Sequence, residues 1–376
     1  MAIQAGLVGL PNVGKSTLFN ALTKSSIPAE NFPFCTVDPH VAVTNVPDER
    51  LVKLAGVFKS QKLIPTIAQF VDIAGLVKGA STGEGLGNQF LSHIMGVDLI
   101  LHVLRCFEDP NIIHVNDTID PIGDFETISA ELMIKDLESV EKRIEKVQGF
   151  IKTAKNKQAT PLQIQAWEAE FALLNNVKTE LNVGTCDSIR ALVEKAAAVE
   201  NKTIPLISAK KYLVIANISE ADFADKTYKN NPHFIAVTKK FGAENVIPVS
   251  AKIEAELAQM EDTEKREFME TLDLNSSGLD TIITRTYQNL DLISFFTCGP
   301  KEAHAWSLAR GKKVTQAAGE IHSDLERGFI CAEVYNAKDL FEFGSEQALK
   351  LAGKIRTEGR EYIVQDGDLL NIRFNV

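Results

Sequence analysis

The stretch "GLPNVGKST", Gly9 to Thr17, satisfies the pattern G-x-x-x-x-G-K-[ST] and stands between a strand-like apolar run and an amphipathic helical pattern. Glycines at 9 and 14 let the backbone wrap tightly, so that successive N–H groups point inward as an anion nest at the positive end of the following helix. In such a loop Lys15 reaches the β and γ phosphates of a nucleotide, and the hydroxyl of Ser16 ligates Mg2+. The chemistry implied is phosphate binding, and with a positioned water it is phosphoryl transfer.

Three further places can complete such a site. Thr36, in the Pro-flanked "FPFCTVDP", can close on the metal and the γ phosphate. In "FVDIAGLVKGAS" a strand ends at Asp72, suited to a second-shell role toward Mg2+, and Gly75 can bring a backbone N–H to the γ phosphate. Where many GTPase-type proteins carry a Gln that orients the attacking water, this chain has Leu76, whose side chain cannot hydrogen-bond. Either hydrolysis is slow or another group orients the water; His114 in "DPNIIHVND" is the candidate, and the alternative is a histidine packed beside Ile112 and Ile113.

The base site follows from "ANISE" and "VSAK". Asn217 to Glu220 stands where a guanine reader has Asn-Lys-x-Asp, and Ser250, Ala251 and Lys252 follow a strand and can back a purine ring. An Asp in the fourth position accepts from guanine N1–H and N2, a charged hydrogen bond of ~1.5–3 kcal/mol. Glu220 moves that carboxylate one methylene outward, while adenine can be met by the backbone C=O and N–H of Ile218 with Asn217 holding the loop. The site therefore tilts toward ATP, with GTP weaker. A second "ISAK", at Ser208, precedes the Asn-x-x-Glu element and is out of order for this role.

The elements that must hold these residues are legible in the texture. Up to about residue 125, β-rich runs such as "TIAQFVDI" and "VDLILHVLRC" alternate with helical patterns, the mark of a parallel sheet covered by helices. Ile134, Leu137, Val140, Ile144, Val147 and Ile151 then step by three or four. A second stripe runs through Ile164, Trp167, Phe171, Leu174, Val177 and Leu181, with Thr160 placed as N-cap and Pro161 at the first helical position. Joined by a short polar turn, the two read as an antiparallel helical hairpin, or as two ordinary core helices. Past Asp291 a small mixed α/β domain is expected, with "QDGD" turning between two strand-like runs.

Composition bounds the partners. The 376 residues carry a formal net charge of -10, which argues against a general polyanion binder, so any nucleic-acid contact is local and DNA is not expected. Arg310, Lys312 and Lys313, and Lys354, Arg356 and Arg360, are basic clusters that can meet rRNA phosphates or simply be solvated faces; Trp306 can stack on a base or be buried. No run approaches a membrane span, and the five scattered cysteines suggest reduced thiols, so a cytoplasmic protein is expected.

With "GLPNVGKSTLFNALT", "NFPFCTVDP", "VLRCFED", "NIIHV", "NISE" and "DGDLLNIRFNV" in place, the chain resembles the Obg-like ATPase family, known in bacteria as YchF, over essentially its whole length. The resemblance implies an α/β P-loop NTPase (GTPase-like) domain at 1–125 and 205–280, an inserted antiparallel helical hairpin (coiled coil) at 126–204, and a C-terminal TGS domain of β-grasp, ubiquitin-like character at 291–374. It implies a slow, Mg2+-dependent ATPase that associates with ribosomes through rRNA and ribosomal proteins. Residues Asn12, Val13, Gly14, Lys15, Ser16 and Thr17 match the family's phosphate loop, Ser16 and Thr36 its metal ligands, Asn217 to Glu220 its base-reading element, and His114 its histidine-based hydrolysis. Two other readings stand beside it, a GTP-preferring Obg-type GTPase and a nucleotide-gated RNA- or protein-binding module without significant turnover.

Overall fold

The computed structural model describes residues 3–25, 40–73, 93–112, 118–154, 159–200 and 204–375. Its first strands are β1 (Ile3–Val8), β2 (Val41–Asn45), β3 (Lys62–Ile64), β4 (Ile67–Asp72), β5 (Leu99–Arg105), β6 (Lys211–Asn217) and β7 (Val246–Val249), with helices α1 (Lys15–Lys24) and α2 (Glu49–Phe58) between them. All but β3 form one sheet, in the order β2-β4-β1-β5-β6-β7. The described chain divides into two compact units, one of Ala5–Ala21 and Val71–Gln259, the other of Met1–Gln4, Leu22–Phe70 and Met260–Val376.

In the first unit β1, β5, β6 and β7 are all parallel. Every residue of β5, "LILHVLR", is buried, as expected of a parallel strand covered on both faces. The register pairs Val8 with His102, Arg105 with Asn217, and Asn217 with Val249, so the carboxyl ends of these strands come together. Loops leaving that edge are where ligands bind in open α/β sheets.

Three helices follow β5: α3 (Pro121–Thr153), α4 (Pro161–Val183) and α5 (Cys186–Glu200). Asp120 caps α3, and Thr160 caps α4 through a capping box with Gln163, just where the sequence put the start. Between α3 and α4 the seam is Met133, Leu137, Val140, Ile144, Val147 and Ile151 against Trp167, Phe171, Leu174, Val177 and Leu181, and α5 adds Ile189, Leu192 and Ala196. The 4-3-4-3-4 spacing of that seam starts at Met133. Ile134, read from the sequence as its first member, falls one residue off it and is 46% exposed. Pairing of Phe150 with Trp167, and ion pairs Arg143–Glu170 and Lys178–Glu141 at 2.6 Å each, run antiparallel along α3 and α4. Exposed pairs of this kind add only about 0.2–1 kcal/mol each, so the apolar seam carries the packing.

The sheet of the second unit adds β8 (Leu292–Cys298), β9 (Glu302–Ala309), β10 (Phe329–Asn336), β11 (Arg356–Glu358) and β12 (Asp368–Phe374), in the order β11-β10-β12-β8-β9-β3. Its sixth strand is β3, parallel to β9 and drawn from far earlier in the chain. One face is covered by α2, whose Leu51, Leu54 and Ala55 pack on Phe296, Ala303, Ala305 and Leu369. The other face carries Ile293, Phe295, Leu308 and Val334 under the helix Val314–Ile321. Asp48 caps α2, and Arg50 in its first turn bonds both Asp48 (2.9 and 2.8 Å) and Asp366 (2.7 and 3.3 Å). Asp366 belongs to the "QDGD" turn, and its Oδ1 also accepts from Ser294 N at 3.0 Å. The run before that turn, "EYIVQ", is not a strand as the sequence suggested. It meets the 312–314 segment through one bridge at Ile363 and through Val314 N to Tyr362 O and Val364 N to Lys312 O, at 2.8 and 3.1 Å.

Candidate nucleotide site

The phosphate loop leaves β1 and returns into α1, with Asn12 at φ 65° and Gly14 at φ 94°. Gly14 needs to be glycine twice over, because a Cβ there would also overlap Asn217 Nδ2. Lys15 is buried and pairs with Asp72 at the end of β4, while Ser16 and Thr17 are exposed at the start of α1. Val13 is fully buried, and its carbonyl accepts from Asn217 Nδ2 at 2.8 Å.

Asn217 is the keystone of the arrangement. It is 5% exposed, and besides bonding Val13 its Oδ1 accepts from Ala251 N at 3.0 Å, while its carbonyl accepts from Cys106 N at 2.9 Å. One side chain thus ties the phosphate loop to the loop after β7. The structure brings together Asn12, Val13, Gly14, Lys15, Ser16, Asp72, Asn217, Ile218, Ser250 and Ala251 at one sheet edge. Thr36, Gly75 and His114 lie outside the described residues.

The expectation for Ile218 is corrected in part. Its side chain is buried and its N–H already donates to Val249 O at 2.8 Å, so that N–H is not open to an adenine. Bonding between β6 and β7 continues past Asn217 to Ile218, which leaves the Ile218 carbonyl for a base. Glu220 opens helix α6 (Glu220–Ala224), capped by Ser219, whose Oγ accepts from Asp222 N at 3.1 Å. Its carboxylate pairs with Lys252 in helix α7 (Ala251–Leu257), which holds the Lys252 ammonium above its ordinary pKa. Ser250, 1% exposed, heads α7 with an Oγ that has no hydrogen-bond partner among the described residues.

Two features escaped the sequence reading. Arg105, 1% exposed, donates to the carbonyls of Phe107, Ile112 and Asp109 at 3.1, 3.0 and 3.3 Å and so holds the segment that leaves β5. An arginine closing a buried strand whose other residues, His102 apart, are apolar was the available signal. The Glu220–Lys252 pair was also missed, although both residues follow adjacent parallel strands. The out-of-order Ser208 has a separate duty: its N–H and Oγ bond Asp136 of α3 at 2.7 and 2.6 Å, and burial holds that carboxyl above its ordinary pKa. Of the basic clusters, Arg310 pairs with Asp291 at 2.9 Å, Lys313 with Glu361 at 2.5 Å and Arg356 with Glu358 at 3.5 Å, while Arg360 donates to Phe329 O at 2.7 Å.

For Mg2+ the donor set fits: an exposed serine hydroxyl at the head of α1 and a carboxylate beside the loop lysine are hard oxygen ligands. Ser16 would hold the ion directly and Asp72 through water, and a bound ion would neutralise charge on the β and γ phosphate oxygens.

A parallel sheet with a glycine-wrapped loop between its first strand and helix, and an Asn-anchored loop two strands away, defines a P-loop nucleotide-binding protein of the GTPase type. Comparison with known proteins agrees. A family model described as "50S ribosome-binding GTPase" matches residues 4–159, and the YchF-GTPase C-terminal model, described as a protein of unknown function, matches residues 292–375. The chain is 47% identical over 380 residues to the ribosome-binding ATPase YchF of Bacillus subtilis (strain 168), with all of both chains covered. It is 45% identical over 375 residues to Obg-like ATPase 1 of Oryza sativa subsp. japonica, covering all of this chain and 92% of that one. Among solved structures, that of the Schizosaccharomyces pombe YchF GTPase superposes with TM-score 0.84 at 38% identity, covering 99% of this chain and 97% of the other. The chain belongs to the YchF and Obg-like ATPase family.

Proposed function

We propose that this protein is a Mg2+-dependent, ATP-preferring P-loop NTPase that hydrolyses slowly and acts as a nucleotide-dependent switch on the ribosome, in the cytoplasm. The observation that carries the ATP preference is the Glu220–Lys252 pair. A carboxylate with one oxygen already paired to an ammonium has less left for guanine N1–H and N2, whereas adenine N6 needs only a carbonyl such as that of Ile218. Asn12, Val13, Gly14, Lys15, Ser16, Thr17 and Gly75 are assigned to the phosphates, Lys15 also to charge stabilisation in the transition state, and Ser16, Thr36 and Asp72 to the metal. Asn217, Ile218, Glu220, Ser250, Ala251 and Lys252 are assigned to the base, and His114 to orienting the attacking water in place of the Gln that Leu76 replaces. Residues 126–204 are assigned as an inserted helical hairpin, a reading supported by the antiparallel seam of α3 and α4. Residues 291–374 are assigned as a TGS domain of β-grasp type, supported by the mixed sheet in which β8 and β12 run parallel.

Ribosome association and ATP turnover are what the relatives' names state of those proteins. No described helix is long and apolar enough to cross a membrane. The deciding experiment is competition of ATP and GTP for the purified protein by calorimetry. ATP is expected to bind more tightly, and a strong GTP preference overturns the reading.

A further inference from the structure

One aromatic cluster of the second unit has no part in the nucleotide site. On the face of its sheet that carries Phe295, strands β8 and β9 line up three rings. Phe295 and Trp306 stack at 6.4 Å and 15°, and Trp306 and His304 at 3.7 Å and 23°. The Trp306 indole N–H donates to Thr297 Oγ1 at 2.9 Å, which fixes the plane of the column. Phe295 is fully buried while Trp306 and His304 are half-buried, so the column runs from the core outward and ends at His304. Burial, helped by the charge of Lys62, pushes His304 down to about 4, so at neutral pH its imidazole is an uncharged ring.

Charge gathers at the same end of the sheet. Lys62 of β3 lies opposite Glu302, two residues before His304 on β9, and Lys62 N donates to Lys301 O at 3.2 Å. Gln61 N donates to Pro300 O at 3.1 Å, which brings Lys59 and the 299–301 turn to the same rim. Lys59, Lys62 and Lys301 are exposed and, among the described residues, none forms an ion pair, in a protein whose formal net charge is -10. The basic clusters nearer the chain's end are by contrast largely neutralised. Glu302, also exposed, sits on the ring face beyond His304, where a carboxylate can accept from an exocyclic amine.

We propose that the Phe295–Trp306–His304 column is a stacking platform for an unpaired base of RNA, with Lys59, Lys62 and Lys301 meeting the flanking phosphates. A partly exposed ring at the end of a stack, beside ammonium groups without ion pairs, is the arrangement by which proteins hold single-stranded nucleic acid. The proposal rests on the reading that the protein meets ribosomal RNA and names the surface that does so.

Trp167 and Trp306 are the protein's two tryptophans, so Trp167→Phe leaves Trp306 as the sole fluorescent reporter. Titrating this full-length variant with a 12-nucleotide single-stranded RNA is expected to quench Trp306, and the same strand annealed to its complement is expected to bind far more weakly. His304→Ala should weaken binding roughly fivefold to hundredfold, the range of one base stacked on a ring. The triple change Lys59→Glu, Lys62→Glu and Lys301→Glu should flatten the plot of log affinity against log salt by ~0.7 per lysine lost. No quenching at millimolar RNA overturns the proposal, as does quenching indifferent to both sets of substitutions or equal binding of the duplex. Ribosome cosedimentation separates this result from the wider reading. If wild type cosediments but shows no RNA quenching, the platform fails and ribosome binding stands; if RNA quenches Trp306 but nothing cosediments, the reverse holds. Cosedimentation lost in His304→Ala without any RNA quenching assigns the surface to a ribosomal protein and sinks the RNA proposal.

Discussion

Asn217 offers the sharpest test of how the two halves of the nucleotide site are joined. Replacing it with Ala removes the bonds to Val13 O (2.8 Å) and from Ala251 N (3.0 Å) at a position only 5% exposed. A buried polar group left without its partner costs about 1–3 kcal/mol, and two such groups with partial rescue by water give a loss of ~2–4 kcal/mol. Asn217→Asp discriminates further. One carboxylate oxygen can still accept from Ala251 N, but the other must face the Val13 carbonyl, acceptor against acceptor. The Asp variant should therefore be at least as unstable as the Ala variant at pH 7. Repulsion and burial raise its carboxyl pKa in the folded state, so folding takes up a proton and the deficit should shrink as pH falls from 7 toward 5. Urea unfolding at several pH values, with midpoint and slope both fitted, reads the stability, and calorimetry reads the accompanying loss of ATP affinity. A loss under about 0.5 kcal/mol for Asn217→Ala, or an Asp variant matching wild type at pH 7, would refute the bridging argument, since surface side chains without such duties fall in that range.

Three other perturbations have definite expectations. His102, buried on β5 between Phe125 and Tyr212 with Nδ1 unpartnered among the described residues, is pushed by burial down to about 3. Its depressed folded-state value means the unfolded chain takes the proton first, so stability should fall by up to about 1.4 kcal/mol per pH unit between roughly pH 6 and 4, and His102→Phe should flatten that slope in acid unfolding. Arg50→Met should lower stability by roughly 1–2 kcal/mol after allowance for partial exposure, read as faster amide exchange in α2 and the 366–368 turn together; faster exchange in only one of them counts against the clamp. Lys252→Met frees the Glu220 carboxylate, so GTP should gain a few-fold on ATP in direct competition, and an unchanged ratio removes the pair from the account of specificity.

How much could be read beforehand depended on whether a feature is local. The phosphate loop is an eight-residue pattern whose glycine spacing already contains its geometry, and the α4 capping box needs only Thr160, Pro161 and Gln163. The α3 stripe was visible, yet its phase was off at Ile134 because a heptad seam is chosen by the partner helix and not by hydrophobicity alone. Pairing across strands was out of reach. That the Ile218 N–H is engaged by Val249 and that Lys252 meets Glu220 both follow from register between strands some thirty residues apart in sequence. The role of Ser208 was invisible for the same reason, its partner Asp136 lying 72 residues earlier.

The sixth strand of the second sheet, β3, and its covering helix α2 have a consequence for synthesis on the ribosome. The Arg50–Asp366 contact spans 316 positions, so at about 5–20 residues per second the emerging α2 waits roughly 15 to 60 s for its partner turn. For most of that interval Leu51, Leu54 and Ala55, destined for the core, have no Phe296 to cover them, and Leu369 follows only after its end. The unit cannot close vectorially from the N-terminus. The nascent chain must carry an uncovered apolar helix while most of its length is made, which is a load for chaperones and a point where slowed elongation would prolong exposure to aggregation.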